Sequence, residues 1–207
     1  KDSYQSGIDN EFFFKSLDPG DYTIAIYPYQ ELEAVTTYEL SIDTKTFIDN
    51  SYLPDDPGFK NQWHLFNTGQ AEGYDNYDIY APEAWKINNS SPDVVVAVID
   101  TGIEYYHEDL DDNIWKNIDE IPDNNIDDDS NGYIDDYLGW DFYHDDNNPD
   151  DYLGHGTHVA GIIGADGNNG IGVTGVTWDV QMMPLKVFHD DPSVRETDDE
   201  YIWDAIY

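Results

Sequence analysis

Val94-Val95-Val96-Ala97-Val98-Ile99-Asp100-Thr101-Gly102 is the stretch that decides the fold. Its first six residues are an unbroken apolar run, mostly β-branched. A half-exposed strand alternates polar and apolar positions, whereas a continuous run predicts a parallel strand covered on both faces. That implies an α/β sheet. The run delivers a carboxylate, Asp100, at its C-terminal end, where open α/β sheets place their sites. Thr101-Gly102 then lets the chain turn away sharply. On this stretch alone, Asp100 reads equally well as a turn cap.

Working outward, the flanking segments keep the α/β pattern. Pro82–Ile87 predicts a short helix with proline in its first turn. Residues 104–154 are a loop rich in Asp and Asn. His155–Ala165 reads as a helix of small residues, and Val180–Phe188 as a second strand. Thr197-Asp198-Asp199-Glu200 predicts a capping box opening a helix with Ile202, Ala205 and Ile206 on one face. That helix runs to the last residue, which predicts a protein continuing past Tyr207. Upstream, residues 47–61 are polar and punctuated by proline, as in a linker entering the domain of residues 62–207. Residues 1–46 read as β, with Glu11–Leu17, Tyr22–Tyr27 and Thr36–Ile42 as strands and Asp18-Pro19-Gly20-Asp21 as a turn. Three strands make a poor independent core, so 1–46 is predicted to be a fragment of a small β-rich domain.

Charge narrows the partners. Eight Lys and Arg stand against 45 Asp and Glu, a formal charge of −37 over 207 residues. Such a chain repels nucleic acid and anionic membrane surfaces. Aspartate outnumbers glutamate about threefold. Short carboxylates favour turns and hard-cation sites, which points to calcium; a generally acidic, solvated surface is the plainer alternative. There is no cysteine, which excludes disulfides, thiolate catalysis and Cys-bound zinc. No run reaches the roughly 18 apolar residues of a membrane helix. The chain begins at Lys1 rather than Met, as it would if a targeting segment had been removed or not included.

Gly154-His155-Gly156-Thr157-His158-Val159-Ala160-Gly161 carries the second candidate group. A histidine at a helix start is held by rigid backbone, and the flanking glycines leave room for close approach. The positive end of the helix is expected to lower the pKa of His155 and keep it available as a base. A metal site on His155 and His158 is the rival, but the helix offers no third ligand. His158 is expected to pack beneath the site.

Together these segments resemble the subtilisin-like serine proteases, or subtilases, over roughly residues 54–207. The matching stretches are Val96-Ala97-Val98-Ile99-Asp100-Thr101-Gly102-Ile103, His107-Glu108-Asp109-Leu110, His155-Gly156-Thr157-His158-Val159-Ala160-Gly161 and Met183-Pro184-Leu185-Lys186-Val187. The resemblance implies a three-layer fold with a parallel sheet, here incomplete. It implies a serine endopeptidase acting on polypeptides, with Asp100 as the triad Asp and His155 as the general base. The family's Ser is expected in a Gly-Thr-Ser segment well beyond the His. The only serine after His155 is Ser193, which lacks that context. The 207 residues are therefore expected to be inert alone, and the full-length protein active and secreted. Leu17-Asp18-Pro19-Gly20-Asp21-Tyr22-Thr23-Ile24 resembles the end of a pre-peptidase β-sandwich, with a propeptide as the rival reading. A calcium-dependent adhesion module on an inactive protease fold is the alternative function, though an intact Asp100 and His155 speak against it.

Calcium is expected at three places. The resemblance implies a first site from Asp56, Asp109, Asn169 and the carbonyls of Ile171 and Val173. It implies a second from Asp141, Asp146, Asn148 and Asp150, with His144 where an acid is expected. The third follows from Asp127-Asp128-Asp129-Ser130-Asn131-Gly132, which matches an EF-hand-type loop at positions one, three, five and six. Position twelve is Leu138 rather than a bidentate acid, so Asp135, Asp136 or Asp123 must complete that shell.

Overall fold

The computed structural model describes residues 52–70, 73–194 and 197–206. The β-rich reading of residues 1–46 and the first part of the 47–61 linker lie outside them. Three strands form one parallel sheet: β1 (Ser90–Asp100), β2 (Trp140–Asp141) and β3 (Asp179–Lys186), in the order β1-β3-β2. The register aligns Asp100 of β1 and Asp141 of β2 with the same residue, Lys186, at the end of the central strand. The C-terminal edge of the sheet is thus a row of acid, lysine and acid.

The core lies on one side of this sheet. Val98, Ile103, Leu110, Ile114, Ala160, Ala165, Val180 and Met182 form its buried cluster. The small-residue helix is present as α2 (His155–Gly164). Its composition follows from how closely it packs: a Cβ on Gly164 would come within 2.5 Å of Val180 Cγ1. The buried Asn113 fastens this layer, donating from Nδ2 to the carbonyls of Gly164 at 3.0 Å and Trp178 at 2.9 Å.

β1 is parallel as expected, but it is not covered on both faces. Val98 is buried in the α2 side of the sheet, whereas Val95 is 44% exposed on the other. Among the described residues, β1 pairs with β3 alone, and α2 packs on the Val98 side. On that second side, α3 (Asp199–Ile206) approaches the sheet further along. Its Ala205 and Ile206 line an open cavity of about 440 Å³ together with Met183 and Leu185. The capping box does not form as the sequence suggested. Asp198, not Thr197, caps α3 by accepting from the Glu200 amide at 3.2 Å, and the Thr197 hydroxyl donates instead to the Val187 carbonyl.

A second cluster of Phe59, Leu65, Ala81 and Trp85 holds the entry segment. The short helix predicted around Pro82 is α1 (Ala81–Trp85), one turn with proline near its start. Trp85 donates its indole N–H to the Val176 carbonyl at 2.8 Å, tying that turn to the loop before β3.

Candidate active site

Two elements bring Asp100 and His155 together. β1 ends in Asp100, and α2 begins with His155. Asp100 Oδ1 lies 2.7 Å from His155 Nδ1. A carboxylate only accepts, so this bond places the ring proton on Nδ1 and leaves Nε2 as the acceptor. The Asp100 side chain is 15% exposed and that of His155 is 70% exposed. One face of the pair is thus anchored in protein, and the other is open to an incoming group.

The approach is set by glycine. Gly156 sits so close that a Cβ there would lie 2.1 Å from the Gly102 carbonyl oxygen and 3.1 Å from Asp100 Cβ. Gly102 itself has φ +102, a conformation that side chains rarely adopt. Both positions must be glycine for the strand end and helix start to touch.

A second carboxylate, which the sequence reading passed over, locks this junction. Asp151 Oδ1 accepts from the Thr101 hydroxyl at 2.9 Å and from the amides of Leu153 and Gly154. Its Oδ2 accepts from the Thr157 amide at 2.9 Å and hydroxyl at 2.7 Å. Thr101 Oγ1 in turn accepts from the Gly156 amide at 2.9 Å. Burial pushes the Asp151 carboxyl up, but the bonds from Thr157, Gly154 and Leu153 outweigh it and hold the group below the usual range. The signal available in the sequence was an Asp placed four residues before the His, where it caps a helix start.

The expected fall in the pKa of His155 does not occur. The hydrogen bond and charge of Asp100 raise it above 6.5. An adjacent carboxylate acts more strongly than the diffuse positive end of the helix. Nor is His158 buried beneath the site: it is exposed on the first turn of α2. His155 is committed to Asp100, and the two histidines do not converge with a third ligand among the described residues. Ser193 is also placed without a catalytic context, its hydroxyl donating to Asp191 at 2.6 Å in an exposed turn.

The three acidic sets behave differently. In the first, Asp56 and Asp109 are buried on either side of the loop at 168–173. Asp56 accepts from the amides of Asn168 and Asn169, and Asp109 from the Val173 amide and the Asn169 side chain. The Ile171 amide bonds to Asn169 Oδ1 at 2.7 Å. Burial raises the Asp109 carboxyl, and Asp166, unnoticed in the sequence, is raised beside it.

The second set does not assemble. Asp141 is buried, but its carboxylate turns to His144 Nδ1 at 2.8 Å and Lys186 Nζ at 3.5 Å. Asp146 uses Oδ1 to cap the Asn148 amide, and Asp150 Oδ1 accepts from Asp151 N–H. The buried Lys186 ammonium also donates to the Asp150 carbonyl at 2.8 Å.

In the third set, Asp127 and Asp129 converge, joined through hydrogen bonds to Asn131. Asp135 does not join them. Its carboxylate accepts from the amides of Asn124 and Asn125 and stabilises that turn. The third converging carboxylate is Glu120, which the sequence reading missed.

The profile of the Subtilase family (Peptidase S8) matches residues 91–205. Subtilisin-like protease 1 of Plasmodium vivax is 37% identical over 142 residues, covering 62% of this chain and 22% of that protein. Neuroendocrine convertase 2 of Rattus norvegicus is 33% identical over 147 residues, covering 68% of this chain and 20% of its own. Among solved structures, a protease from Pseudoalteromonas arctica superposes with a TM-score of 0.52 at 28% identity, covering 74% of this chain and 43% of that one. The chain thus spans about a fifth of the length of these curated relatives.

Proposed function

The chain belongs to the subtilase family, and we propose that it supplies two members of the triad of a serine endopeptidase acting on polypeptides. The observation that carries this reading is the 2.7 Å bond between Asp100 Oδ1 and His155 Nδ1. Asp100 orients the ring, keeps the proton on Nδ1 and stabilises the imidazolium once it forms. His155 Nε2 takes the proton of a serine hydroxyl and returns it to the leaving amine. That serine is proposed to lie outside these 207 residues, because Ser193 is bonded into its own turn. Triad members act as a unit, so these residues alone are expected to hydrolyse no peptide.

The test is casein hydrolysis by the protein carrying its downstream sequence. His155→Ala should lower kcat by several orders of magnitude while the protein stays folded. Undiminished hydrolysis by that variant would refute the assignment.

Secretion is proposed with the activity. Among the described residues no helix is long and apolar enough to cross a membrane. Calcium is proposed at Asp56, Asp109, Asn169 and the carbonyls of Ile171 and Val173. Two buried carboxylates whose hydrogen-bond partners are neutral amides support it. An ion there would hold the entry segment to the loop that follows α2.

A further inference from the structure

The end of β3 touches both halves of the site. The Val187 amide donates to the Asp100 carbonyl at 2.9 Å and so holds the last residue of β1. One residue earlier, the Lys186 ammonium donates to the Asp150 carbonyl at 2.8 Å. Asp150 begins the segment that leads to His155. On its other side that segment lies against the turn after Asp100. The Ile103 amide donates to the Pro149 carbonyl at 3.0 Å, and a Cβ on Gly102 would lie 2.9 Å from the Asp150 carbonyl oxygen. The next residue, Asp151, caps the start of α2 through its carboxylate.

A lysine is a costly choice at this position. Its side chain is buried, and a buried ammonium must have its charge paired and its donors satisfied. Asp141 Oδ2 at 3.5 Å and Asp190 supply the charge. Neutral groups often replace a buried ion pair without loss of stability, so packing alone does not call for a lysine here. The other two contacts are of a different kind. One is the Asp150 carbonyl, and the other is the Tyr152 ring, 4.9 Å from the ammonium. Both belong to residues 150–152. They add no opposite charge, and they fasten that segment to the end of the central strand.

We propose that Lys186 is a positioning residue for His155: its ammonium holds the Asp150 carbonyl and, through residues 150–154, keeps the imidazole within bonding distance of Asp100. One strand end then sets both members of the pair, Asp100 through the Val187 amide and His155 through Lys186. The consequence for catalysis rests on the endopeptidase reading, whereas the geometry is measurable without activity.

Charge and position act on His155 with opposite signs. Removing a nearby cation would by itself raise the pKa of the ring. Loosening the ring from Asp100 lowers it, because the hydrogen bond and charge of Asp100 are what hold it above 6.5. The direction of the change separates the two.

The test is proton NMR titration of the His155 ring in the 207-residue chain. The variants are Lys186→Met, the double variant Lys186→Met with Asp141→Asn, and Asp190→Asn, with folding of each checked by circular dichroism. The double variant removes one charge of each sign and serves if Lys186→Met fails to fold. In both Lys186 variants the His155 midpoint should fall toward 6.5. Asp190→Asn leaves the bond to Asp150 in place and should keep the midpoint of the unaltered chain. In the protein carrying its downstream sequence, the double variant should lower kcat about 10–100-fold with KM changed less than about twofold, as for a displaced catalytic group. A midpoint in the double variant that is unchanged or higher overturns the proposal, as does an equal fall in Asp190→Asn. If the midpoint falls as stated while His155→Ala leaves casein hydrolysis undiminished, the endopeptidase reading fails and the positioning role stands.

Discussion

Thr101 and Asp151 are joined by a 2.9 Å hydrogen bond that ties the end of β1 to the start of α2. The bond matters because Asp100 and His155 sit on those two elements. Asp151 accepts from five donors at once, two hydroxyls and three amides. Asp151→Ala leaves all five without their acceptor. Bonds to a charged group contribute roughly 1.5–3 kcal/mol each before water replaces them, so a loss of about 2–4 kcal/mol is expected. Urea unfolding of the two proteins at neutral pH measures it; a loss below 0.5 kcal/mol would show that the junction does not depend on Asp151.

The same carboxylate predicts a pH dependence. Its folded pKa lies below the ordinary value of 3.8. A depressed carboxylate contributes stability that is present above the unfolded pKa and lost as pH falls through the folded one. The stability gap between the unaltered chain and Asp151→Asn should therefore be constant from pH 7 to about pH 5. It should close as the pH drops below 3.8. A gap unchanged down to pH 2 would contradict the assignment.

His155 titrates the other way. Asp100 raises its pKa above 6.5, so the small stability it gives is present in acid and lost as pH rises through the folded pKa. The neutral ring, the form that acts as a base, then appears only on the alkaline side of that value. Proton NMR of the His155 ring should give a midpoint above 6.5, and Asp100→Asn should bring it back toward that figure. In the longer protein, kcat/KM should rise through the same midpoint. A midpoint below 6.5 in the unaltered chain would restore the helix-end effect as the dominant influence.

Much of this was legible in the residues. The apolar run of β1 and the glycine-flanked histidine pointed to Asp100 and His155, which the fold brings together, because both depend on local pattern. What escaped needed distance information. Covering of a strand depends on what packs on each face, and among the described residues Val95 is left exposed. Glu120 meets Asp127 and Asp129 by a turn that reverses the chain, and no linear loop template contains it. Asp141 matched a metal spacing, yet Lys186, 45 residues away in sequence, claimed its charge first. Asp135 likewise matched a loop position and was diverted to backbone amides.

Gly156→Ala tests the contact between the end of β1 and the start of α2. A methyl group 2.1 Å from a backbone oxygen cannot be relieved by a side-chain rotation. The strand end and helix start must move apart, at a cost of about 1–3 kcal/mol or more for overpacking. Separation lengthens the bond between Asp100 and His155. The expected result is a lower melting temperature together with a His155 midpoint shifted down toward 6.5. Lost stability with an unchanged midpoint would mean that the junction yields elsewhere.

The row of Asp100, Lys186 and Asp141 at the sheet edge makes the last test. Lys186 is 1% exposed, and its ammonium meets Asp141, Asp190 and the Asp150 carbonyl, with the Tyr152 ring 4.9 Å away. Removing one member of a buried ion pair leaves the other uncompensated, which typically costs about 3–5 kcal/mol. Lys186→Met should therefore be severely destabilising, although methionine fits the space. Adding Asp141→Asn removes the stranded charge and keeps a group that can accept from the amides of Tyr143 and His144. The double variant should recover at least 1 kcal/mol over Lys186→Met, on the order expected for an ion pair replaced by neutral groups. Calorimetric unfolding of the four proteins gives the coupling directly. Strict additivity would mean that Lys186 acts through packing rather than through the charge of Asp141.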